Sequence, residues 1–130
     1  MGYSVPAALG AKAAAPEKQV VAVCGDGSFQ MQMMELATAL QHDINIKVVV
    51  MRNNYLGMVR ELQERGYGNR LTAVSLDGSP SFTKIAEAYG IESVLVDSEA
   101  KAEDAVKRMI QSEKPFLIEV AVEDLEKTIL

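Results

Sequence analysis

The chain has 130 residues, of which 48% are hydrophobic and 24% are charged, as in an ordinary globular domain with a hydrophobic core. We expect residues 1–130 to form one domain. The formal net charge of −5 argues against nucleic acid or an anionic membrane surface as a partner. It leaves room for a small anionic ligand that is held by backbone N–H groups or by a metal.

Cys24 is the only cysteine, so an internal disulfide cannot form. This usage is typical of a reducing compartment, which we expect to be the cytoplasm. Because Cys24 ends an apolar strand pattern, we interpret it as a buried space-filling residue and not as a nucleophile. The sequence has no apolar run near the roughly 20 residues of a membrane span, and its start lacks the basic region of a secretion signal.

Helical and strand patterns alternate along the chain. We predict helices over residues 4–15, 30–41, 56–65, 82–89 and 99–111. Ser4 is expected to cap the first of these helices and Ser81 the fourth. We predict strands over residues 19–24, 44–51, 93–97 and 115–122, the first of them buried on both faces. The glycine-rich residues 66–80 are expected to form a loop, and the tail from Glu123 has no assigned structure.

This alternation indicates right-handed crossovers and an α/β fold with three αβα layers around a mostly parallel sheet. Ligands of such sheets bind at the carboxyl ends of the strands. Polar residues interrupt the pattern at that end of two predicted strands, in residues 25–28 and in residues 52–55. We therefore expect these two polar breaks to be neighbours in space.

The first polar break places a carboxylate between two glycines. Asp26 suits a hard cation, and Gly25 and Gly27 permit a tight turn with close approach of a ligand to the backbone. A helix that begins near Ser28 would direct free N–H groups at a phosphate. A phosphate bridged by a metal would use both features, whereas the alternative interpretation is that Asp26 only caps the helix.

The second polar break offers the amide oxygens of Asn53 and Asn54. Mg²⁺ prefers octahedral oxygen coordination with few protein ligands, and substrate phosphates complete the sphere. One carboxylate, one amide and one main-chain carbonyl would leave positions for a diphosphate and a water molecule. Asparagine is also a common turn residue, so the pattern becomes specific only when both breaks are considered together.

The segments "GDGSFQMQMMELATALQ" and "NNYLGMV", with a strand between them, resemble the cofactor motif of thiamine diphosphate enzymes. Within that family the chain is similar to the C-terminal, diphosphate-binding domain of the acetolactate (acetohydroxyacid) synthase catalytic subunit. The segments "MGYSVPAALGAKAAAPEK", "SFTKIAEAYGI" and "PFLIEVAVE" match as well, so the resemblance covers the whole chain. It implies the thiamine diphosphate-binding fold, with thiamine diphosphate and Mg²⁺ as cofactors.

The resemblance implies that the GDG aspartate, the second Asn of an Asn-Asn pair and a carbonyl two residues later bind Mg²⁺. This chain departs from the family pattern LNN-x-x-LGM, because counting back from Leu56 places Arg52 at the first Asn and Asn53 at the second. In the alternative register Asn54 is the ligand. The expected metal ligands are Asp26, Asn53 and the main-chain carbonyl of Tyr55.

A wider set of residues is implied to contact the cofactor. It consists of Gly25, Asp26, Gly27, Ser28, Asn53, Tyr55, Gly57 and Met58. Helical spacing of the methionines is typical of core packing. We interpret Met34 in that way and leave the roles of Met31 and Met58 open.

The implied reaction is the condensation of two 2-oxo acids, such as pyruvate, with loss of CO₂. In the family, the Glu that activates the cofactor comes from an N-terminal pyrimidine-binding domain, usually of the neighbouring subunit. Glu35 is interpreted here as a helix-surface or support residue. We therefore expect this chain to be catalytically silent alone, as a fragment or as one chain of a split enzyme, within a homo-oligomer. FAD could bind elsewhere in a full-length enzyme, but we do not expect this domain alone to bind it.

Leu62 bears on the substrate, because synthases of branched-chain amino acid biosynthesis often have Trp at this position. Its presence keeps other thiamine diphosphate enzymes open, such as catabolic acetolactate synthases and a decarboxylase similar to sulfopyruvate decarboxylase. The alternative from another class is a domain that binds some other phosphate ligand without catalysis. A structural subunit that has lost ligand binding is the third hypothesis.

Overall fold

The computed structural model describes residues 1–123. Its helices are α1 (Ser4–Ala14), α2 (Asp26–Gln30), α3 (Leu36–Gln41), α4 (Gly57–Gly66), α5 (Phe82–Ala88) and α6 (Glu99–Gln111). Its strands are β1 (Val21–Gly25), β2 (Lys47–Arg52), β3 (Glu92–Val96) and β4 (Phe116–Ala121). The unassigned tail lies outside the described residues from position 124 onward. Within residues 1–123, none of the helices combines the length and the apolar character needed to cross a bilayer.

The four strands form one sheet in the order β1-β2-β4-β3, and every neighbouring pair is parallel. This arrangement confirms the predicted α/β class. It also brings the carboxyl ends of β1 and β2 together, since Gly25 pairs with Met51. The two polar breaks therefore start from adjacent positions at one edge of the sheet.

Hydrophobic side chains on the two faces of the sheet form separate clusters, which confirms the three layers. On one face, α1, α2, α3 and α5 pack against strand residues that include Ala22, Val48 and Leu117. On the other face, α6 packs against β3 and β4. Successive strand residues point to opposite faces, so Val48 joins the first cluster and Val49 packs against the second.

The prediction that the first strand is buried on both faces is wrong. Ala22 and Cys24 are buried, but Val21 and Val23 are 44% and 60% exposed. The physical reason is the position of β1 at the edge of the described sheet, because α6 covers the strands at the other side of that face. A β-branched run alone does not reveal whether a helix covers its second face.

The predicted helix over residues 30–41 is interrupted. A helix begins already at Asp26 and ends at Gln30, and a short 3-10 turn, Met33–Glu35, separates it from α3. Met31 and Met34 are 50% and 60% exposed, so the interpretation of Met34 as a core residue is also wrong. The apolar pattern hides the interruption because Phe29, Met33, Leu36 and Leu40 would share one face of an uninterrupted helix as well.

The helix termini are partly as predicted. Ser81 caps α5, because its hydroxyl accepts a hydrogen bond from Lys84 N at 3.3 Å. Gly90 follows α5 with φ +75°, the left-handed conformation that ends helices. Ser4 is not a cap: it is the first residue of α1, and the preceding Tyr3 makes no side-chain capping bond.

Candidate functional site

A cavity of about 300 Å³ lies at the carboxyl ends of β1 and β2. Its wall contains every residue that the resemblance assigned to the cofactor: Gly25, Asp26, Gly27, Ser28, Asn53, Tyr55, Gly57 and Met58. The apolar side chains of Met51, Leu56 and Val122 complete much of the remaining wall. The fold therefore brings both polar breaks to one concave site.

Asp26 joins the two breaks directly. Its Oδ1 accepts a hydrogen bond from Gly27 N at 2.8 Å, and its Oδ2 accepts one from Asn54 N at 2.7 Å. Asp26 is the first residue of α2, and the capping position belongs to Gly25. Asp26 therefore does more than cap a helix, because its second oxygen holds the main chain of the other break.

The Asp26 carboxylate is suited to a hard cation. It is 1% exposed, and both of its described hydrogen bonds come from neutral main-chain N–H groups. A carboxylate has about four acceptor sites, so coordination capacity remains after these two bonds. A buried charge is costly without an opposite charge nearby. A divalent cation in the adjoining cavity would supply that charge.

The two asparagines of the second break have different environments. The Asn54 Oδ1 accepts a hydrogen bond from Arg52 Nε at 3.0 Å, and Asn54 has φ +57°. Asn53 lines the cavity, and its Oδ1 accepts a hydrogen bond from Tyr55 N at 3.1 Å. An amide oxygen has two lone pairs, so this atom can bind a metal in addition. The arrangement favours Asn53 over Asn54 as the amide ligand.

The glycine-rich loop supports the second break from outside. Leu56 N donates to Val74 O, and Leu76 N donates to Asn54 O, both at 2.8 Å, with an antiparallel bridge between Tyr55 and Ser75. Residues 67–80 form a loop, one residue shorter than the predicted 66–80 because α4 includes Gly66, and the pairing of part of it with the break was not predicted. The only local signal is the short apolar alternation in "AVSL".

Two glycines of the cavity wall differ in what an added side chain would meet. A Cβ on Gly27 would lie 2.4 Å from Leu56 Cδ2, so the end of the Leu56 side chain would have to move to admit it. A Cβ on Gly25 would meet no protein atom within 4 Å, and its φ of −77° is open to any residue. Because Gly25 also lines the cavity, this open space leaves room for a ligand to approach the backbone.

Gly57 and Ser28 also fit a polar ligand. A Cβ on Gly57 would lie 3.3 Å from Asn53 Nδ2, so glycine leaves room for the Asn53 side chain. The Ser28 hydroxyl accepts a hydrogen bond from Gly2 N at 2.9 Å, and its own hydrogen can serve another acceptor. Met58 lines the cavity and is 56% exposed, which excludes it from the core.

Cys24 is buried, as predicted. Burial, followed by the nearby negative charge of Asp26, raises the pKa of the Cys24 thiol to about 11. The thiol is therefore protonated at neutral pH, which makes it a poor nucleophile.

An ion pair between a buried glutamate and Arg52 lies beside the site and was not predicted from the sequence. Glu119, in the middle of β4, is 1% exposed, and its Oε1 lies 2.8 Å from Arg52 Nη1. Its Oε2 accepts a hydrogen bond from Thr83 N at 2.9 Å. A glutamate within the apolar run "FLIEVAV" could have signalled this pair, because buried carboxylates require partners.

The described residues limit the type of metal site. Residues 1–123 contain no group of three or more His, Cys, Asp or Glu side chains that could hold a metal. A metal at the cavity would therefore depend on one carboxylate, neutral oxygens and atoms of a bound ligand. Mg²⁺ accepts such a set, because it commonly binds through one or two carboxylates plus phosphates and water.

Residues 1–120 match the family model described as "Thiamine pyrophosphate enzyme, C-terminal TPP binding domain". The acetolactate synthase large subunit of Lactococcus lactis is 44% identical over 126 residues, which cover 97% of this chain and 22% of that protein. The acetolactate synthase of Arthrospira platensis is 40% identical over 123 residues, covering 94% of this chain and 21% of that protein. The isozyme 2 large subunit of Escherichia coli is 36% identical over 97% of this chain and 23% of that protein.

A solved structure has the same fold. The thiamine diphosphate-dependent 4-hydroxybenzoylformate decarboxylase of Rhodococcus jostii superposes with a TM-score of 0.89 at 28% identity. The match covers 97% of this chain and 24% of that one. The chain thus spans between a fifth and a quarter of the length of these similar proteins.

Proposed function

Since this chain belongs to the thiamine pyrophosphate enzyme family, as a C-terminal cofactor-binding domain, we propose that it binds the diphosphate of thiamine diphosphate through Mg²⁺. The observation that carries the proposal is the buried carboxylate of Asp26, which lines one cavity together with Asn53 and is bonded to neutral N–H groups. The cavity combines a buried carboxylate with the neutral oxygen donors of Asn53 and the main chain. This is the chemistry that a magnesium diphosphate complex requires.

In this proposal, Asp26, Asn53 and the main-chain carbonyl of Tyr55 hold the metal. Gly25, Gly27 and Ser28 bind the diphosphate, while Gly57 and Met58 form the wall of the cofactor pocket. When bound, thiamine diphosphate supplies the carbanion chemistry that 2-oxo acid decarboxylation needs. The chain would contribute orientation: the proposed metal ligands at the carboxyl end of the sheet would hold the metal, which would serve as a template for the diphosphate.

For the reaction, we propose an acetolactate synthase that condenses two 2-oxo acids, pyruvate among them, with loss of CO₂. Support comes from the similar proteins, which include acetolactate synthases with 36–44% identity to the chain. The second candidate is another thiamine diphosphate 2-oxo acid decarboxylase, which the solved 4-hydroxybenzoylformate decarboxylase supports. A role in branched-chain amino acid biosynthesis is part of the proposal, although Leu62 stands where many biosynthetic synthases have Trp.

We further propose that catalysis needs a pyrimidine-binding domain of the same or a neighbouring subunit, in a homo-oligomer. Apolar side chains at and beside the cavity support a partner there: Met58 is 56%, Leu62 is 61% and Tyr67 is 62% exposed. Exposed apolar side chains that cluster on one face commonly mark a protein interface. The use of one cysteine supports a cytoplasmic location for the assembly.

The binding proposal is tested by thermal unfolding with thiamine diphosphate, in the presence and absence of Mg²⁺. At about 100 times Kd, the ligand should add roughly 2.7 kcal/mol to the free energy of unfolding, and Asp26→Ala should lose this gain. The matched control is Asp97→Ala, because Asp97 also follows a strand, β3 at the opposite edge of the sheet, but is exposed and paired with Lys101 at 2.8 Å. A gain that is independent of Mg²⁺, or that persists in Asp26→Ala, would contradict the proposal.

The reaction is tested separately by product analysis with pyruvate, with the pyrimidine-binding domain present. An acetolactate synthase yields acetolactate and CO₂, whereas a simple decarboxylase yields the aldehyde and CO₂. Acetolactate as the main product supports the first candidate. Aldehyde alone would replace it with the second.

A further inference from the structure

We propose that Arg52 is a positioning residue, which holds the second polar break in its metal-binding conformation by joining Asn54 to the buried carboxylate of Glu119. This role rests on the proposed function, because the conformation concerned is that of the proposed metal ligands. A guanidinium carries a positive charge and five donors, so one side chain can bind a carboxylate and an amide oxygen together.

Arg52 is anchored on its inner side by two buried groups. Its Nη1 lies 2.8 Å from Glu119 Oε1, and its guanidinium carbon lies 5.9 Å from the centre of the Phe82 ring. Glu119 is 1% exposed and is also fixed by Thr83 N, at the start of α5. The guanidinium is planar and its donors form a rigid fork, so these contacts also set the direction of its Nε.

The Nε of Arg52 points at the polar break and donates to Asn54 Oδ1 at 3.0 Å. Asn54 has φ +57°, in the left-handed region that residues other than glycine rarely adopt. Its main-chain N–H donates to Asp26 Oδ2 at 2.7 Å, and its carbonyl accepts from Leu76 N at 2.8 Å. One side-chain hydrogen bond thus fixes a residue whose main chain contacts both the Asp26 carboxylate and the supporting loop.

The contacts form a continuous chain from β4 to the cavity, through Glu119, Arg52, Asn54 and Asp26. If Asn54 left the left-handed region, the peptide between Asn53 and Asn54 would turn, and its N–H would no longer face Asp26. The same rotation would move the Asn53 side chain relative to the cavity. Removal of the Arg52 contact should therefore weaken metal binding without removing any proposed metal ligand.

The test compares Arg52→Lys with a matched change at the other end of the sheet, Arg108→Lys. Arg108 also pairs with a glutamate, Glu92 at 2.9 Å, and also lies over a phenylalanine, Phe116 at 6.0 Å, but near the amino ends of β3 and β4. Lysine keeps the positive charge that Glu119 needs, so the variant should fold, but it lacks the fork that reaches Asn54. Glu119→Gln, which keeps an acceptor for Thr83 N, is the second variant if Arg52→Lys fails to fold.

Two quantities are measured: the Kd of Mn²⁺ at saturating thiamine diphosphate, from the paramagnetic resonance of free Mn²⁺, and the hydrogen exchange rate of the Asn54 amide. Loss of a residue that orients metal ligands typically weakens affinity about 10- to 100-fold. We expect Arg52→Lys to raise the Kd about tenfold and to accelerate exchange at Asn54, and Arg108→Lys to change neither. An Arg52→Lys protein that is less stable but keeps the wild-type Kd and exchange rate overturns the proposal.

A double-mutant cycle with Asn54→Gly separates this route from a general electrostatic effect. Glycine adopts positive φ readily but removes the oxygen that Arg52 holds. We expect Arg52→Lys to have little further effect on the Kd in the Asn54→Gly background. Effects of the two changes that multiply independently would show that Arg52 acts by another route.

Failure of the proposed function gives a distinct result. If the wild-type protein binds no Mn²⁺ in the presence of thiamine diphosphate, the metal proposal is wrong, whatever Arg52 does. Exchange at Asn54 in Arg52→Lys then still decides the positioning role, since unchanged exchange contradicts it.

Discussion

Buried charged groups at the two ends of the sheet differ in how completely their hydrogen-bonding capacity is used. At the amino end, Lys47 is 2% exposed, and its ammonium group donates to Asn45 Oδ1 at 2.6 Å and to two main-chain carbonyls, Ser112 O and Lys114 O. An ammonium group has three donors, and all three are used. At the carboxyl end, Asp26 is equally buried but accepts its described bonds from two N–H groups. The fold uses every donor of the first group and leaves acceptor capacity on the second.

This difference separates polar groups that stabilise the fold from those that suit a ligand. A fully bonded buried group such as Lys47 has no capacity for a further partner, so its role is structural. Asp26 faces a cavity whose wall includes Gly25, where an added Cβ would meet no protein atom. Parallel α/β sheets bind ligands at the carboxyl ends of their strands, and the distribution of unused bonding capacity gives a physical reason in this chain.

The largest effect is expected from Lys47→Met, which should affect stability and leave binding intact. The change leaves three acceptors at the start of β2 without their donor, and each buried polar group left unsatisfied costs about 1–3 kcal/mol. We expect the free energy of unfolding to fall by about 3 kcal/mol in total, since some acceptors will find water. Denaturant unfolding measures this change, and titration with Mn²⁺ and thiamine diphosphate should give an unaltered Kd. A weakened Kd would remove the distinction between the two ends.

The second prediction concerns the dependence of stability on pH at Cys24, beside Asp26. The pKa of the thiol is raised from 9.0 to about 11 in the folded protein, so the folded state favours the protonated form. This contribution to stability is complete below pH 9 and is lost as the pH rises through about 11. At about 1.4 kcal/mol per pKa unit, the loss is at most about 3 kcal/mol.

Unfolding of wild type and Cys24→Ala between pH 8 and pH 11 isolates this contribution from other titrating groups. The difference between the two proteins should shift in favour of Cys24→Ala above about pH 9, in the direction that linkage requires. A difference that stays constant over this range would mean that the thiol is not shielded from solvent at the carboxyl end.

The third prediction compares the two asparagines of the second break. Asn53→Ala removes the amide proposed as a metal ligand, so we expect the Kd of Mn²⁺ with thiamine diphosphate to rise about 30-fold, or about 2 kcal/mol. Asn54→Gly keeps the main-chain N–H that Asp26 accepts, and should weaken binding less. Isothermal titration of both variants shows which change raises the Kd more. A larger effect at Asn54 would favour the alternative register.

The smallest effect is expected from Gly25→Ala, which probes space reserved for a ligand. An added Cβ meets no protein atom within 4 Å, so the fold should be at least as stable as wild type. The methyl group would occupy the approach to the diphosphate, and we expect affinity for thiamine diphosphate to fall about tenfold, or about 1.4 kcal/mol. Thermal unfolding without ligand and titration with it separate the two effects. Unchanged affinity would mean that the diphosphate does not approach Gly25.

Much of this molecule was predictable from local patterns. The alternation of strand-like and helix-like hydrophobic patterns predicted the order of strands and helices. The bounds of α6 agree with the prediction at both ends. The two polar breaks were predicted to meet because parallel strands share one carboxyl edge, and the bond between Asp26 and Asn54 joins them. Periodicity did not predict the interruption before Leu36, because the apolar residues fit a continuous helix equally well.

Other features depend on neighbours that are distant in sequence. The exposure of Val23 follows from the edge position of β1, which only the sheet order reveals. The ion pair of Arg52 with Glu119 requires β4 to lie beside β2, although β3 lies between them in the chain. The apolar run of β4 gave no indication of which cation its glutamate would meet.

The central claim is that one divalent ion binds between the two polar breaks, and diffraction from crystals grown with Mn²⁺ and thiamine diphosphate tests it most directly. We predict one anomalous peak within about 2.3 Å of an Asp26 carboxylate oxygen and of Asn53 Oδ1, in contact with the diphosphate. Bound cofactor whose metal lies away from both side chains would contradict the claim.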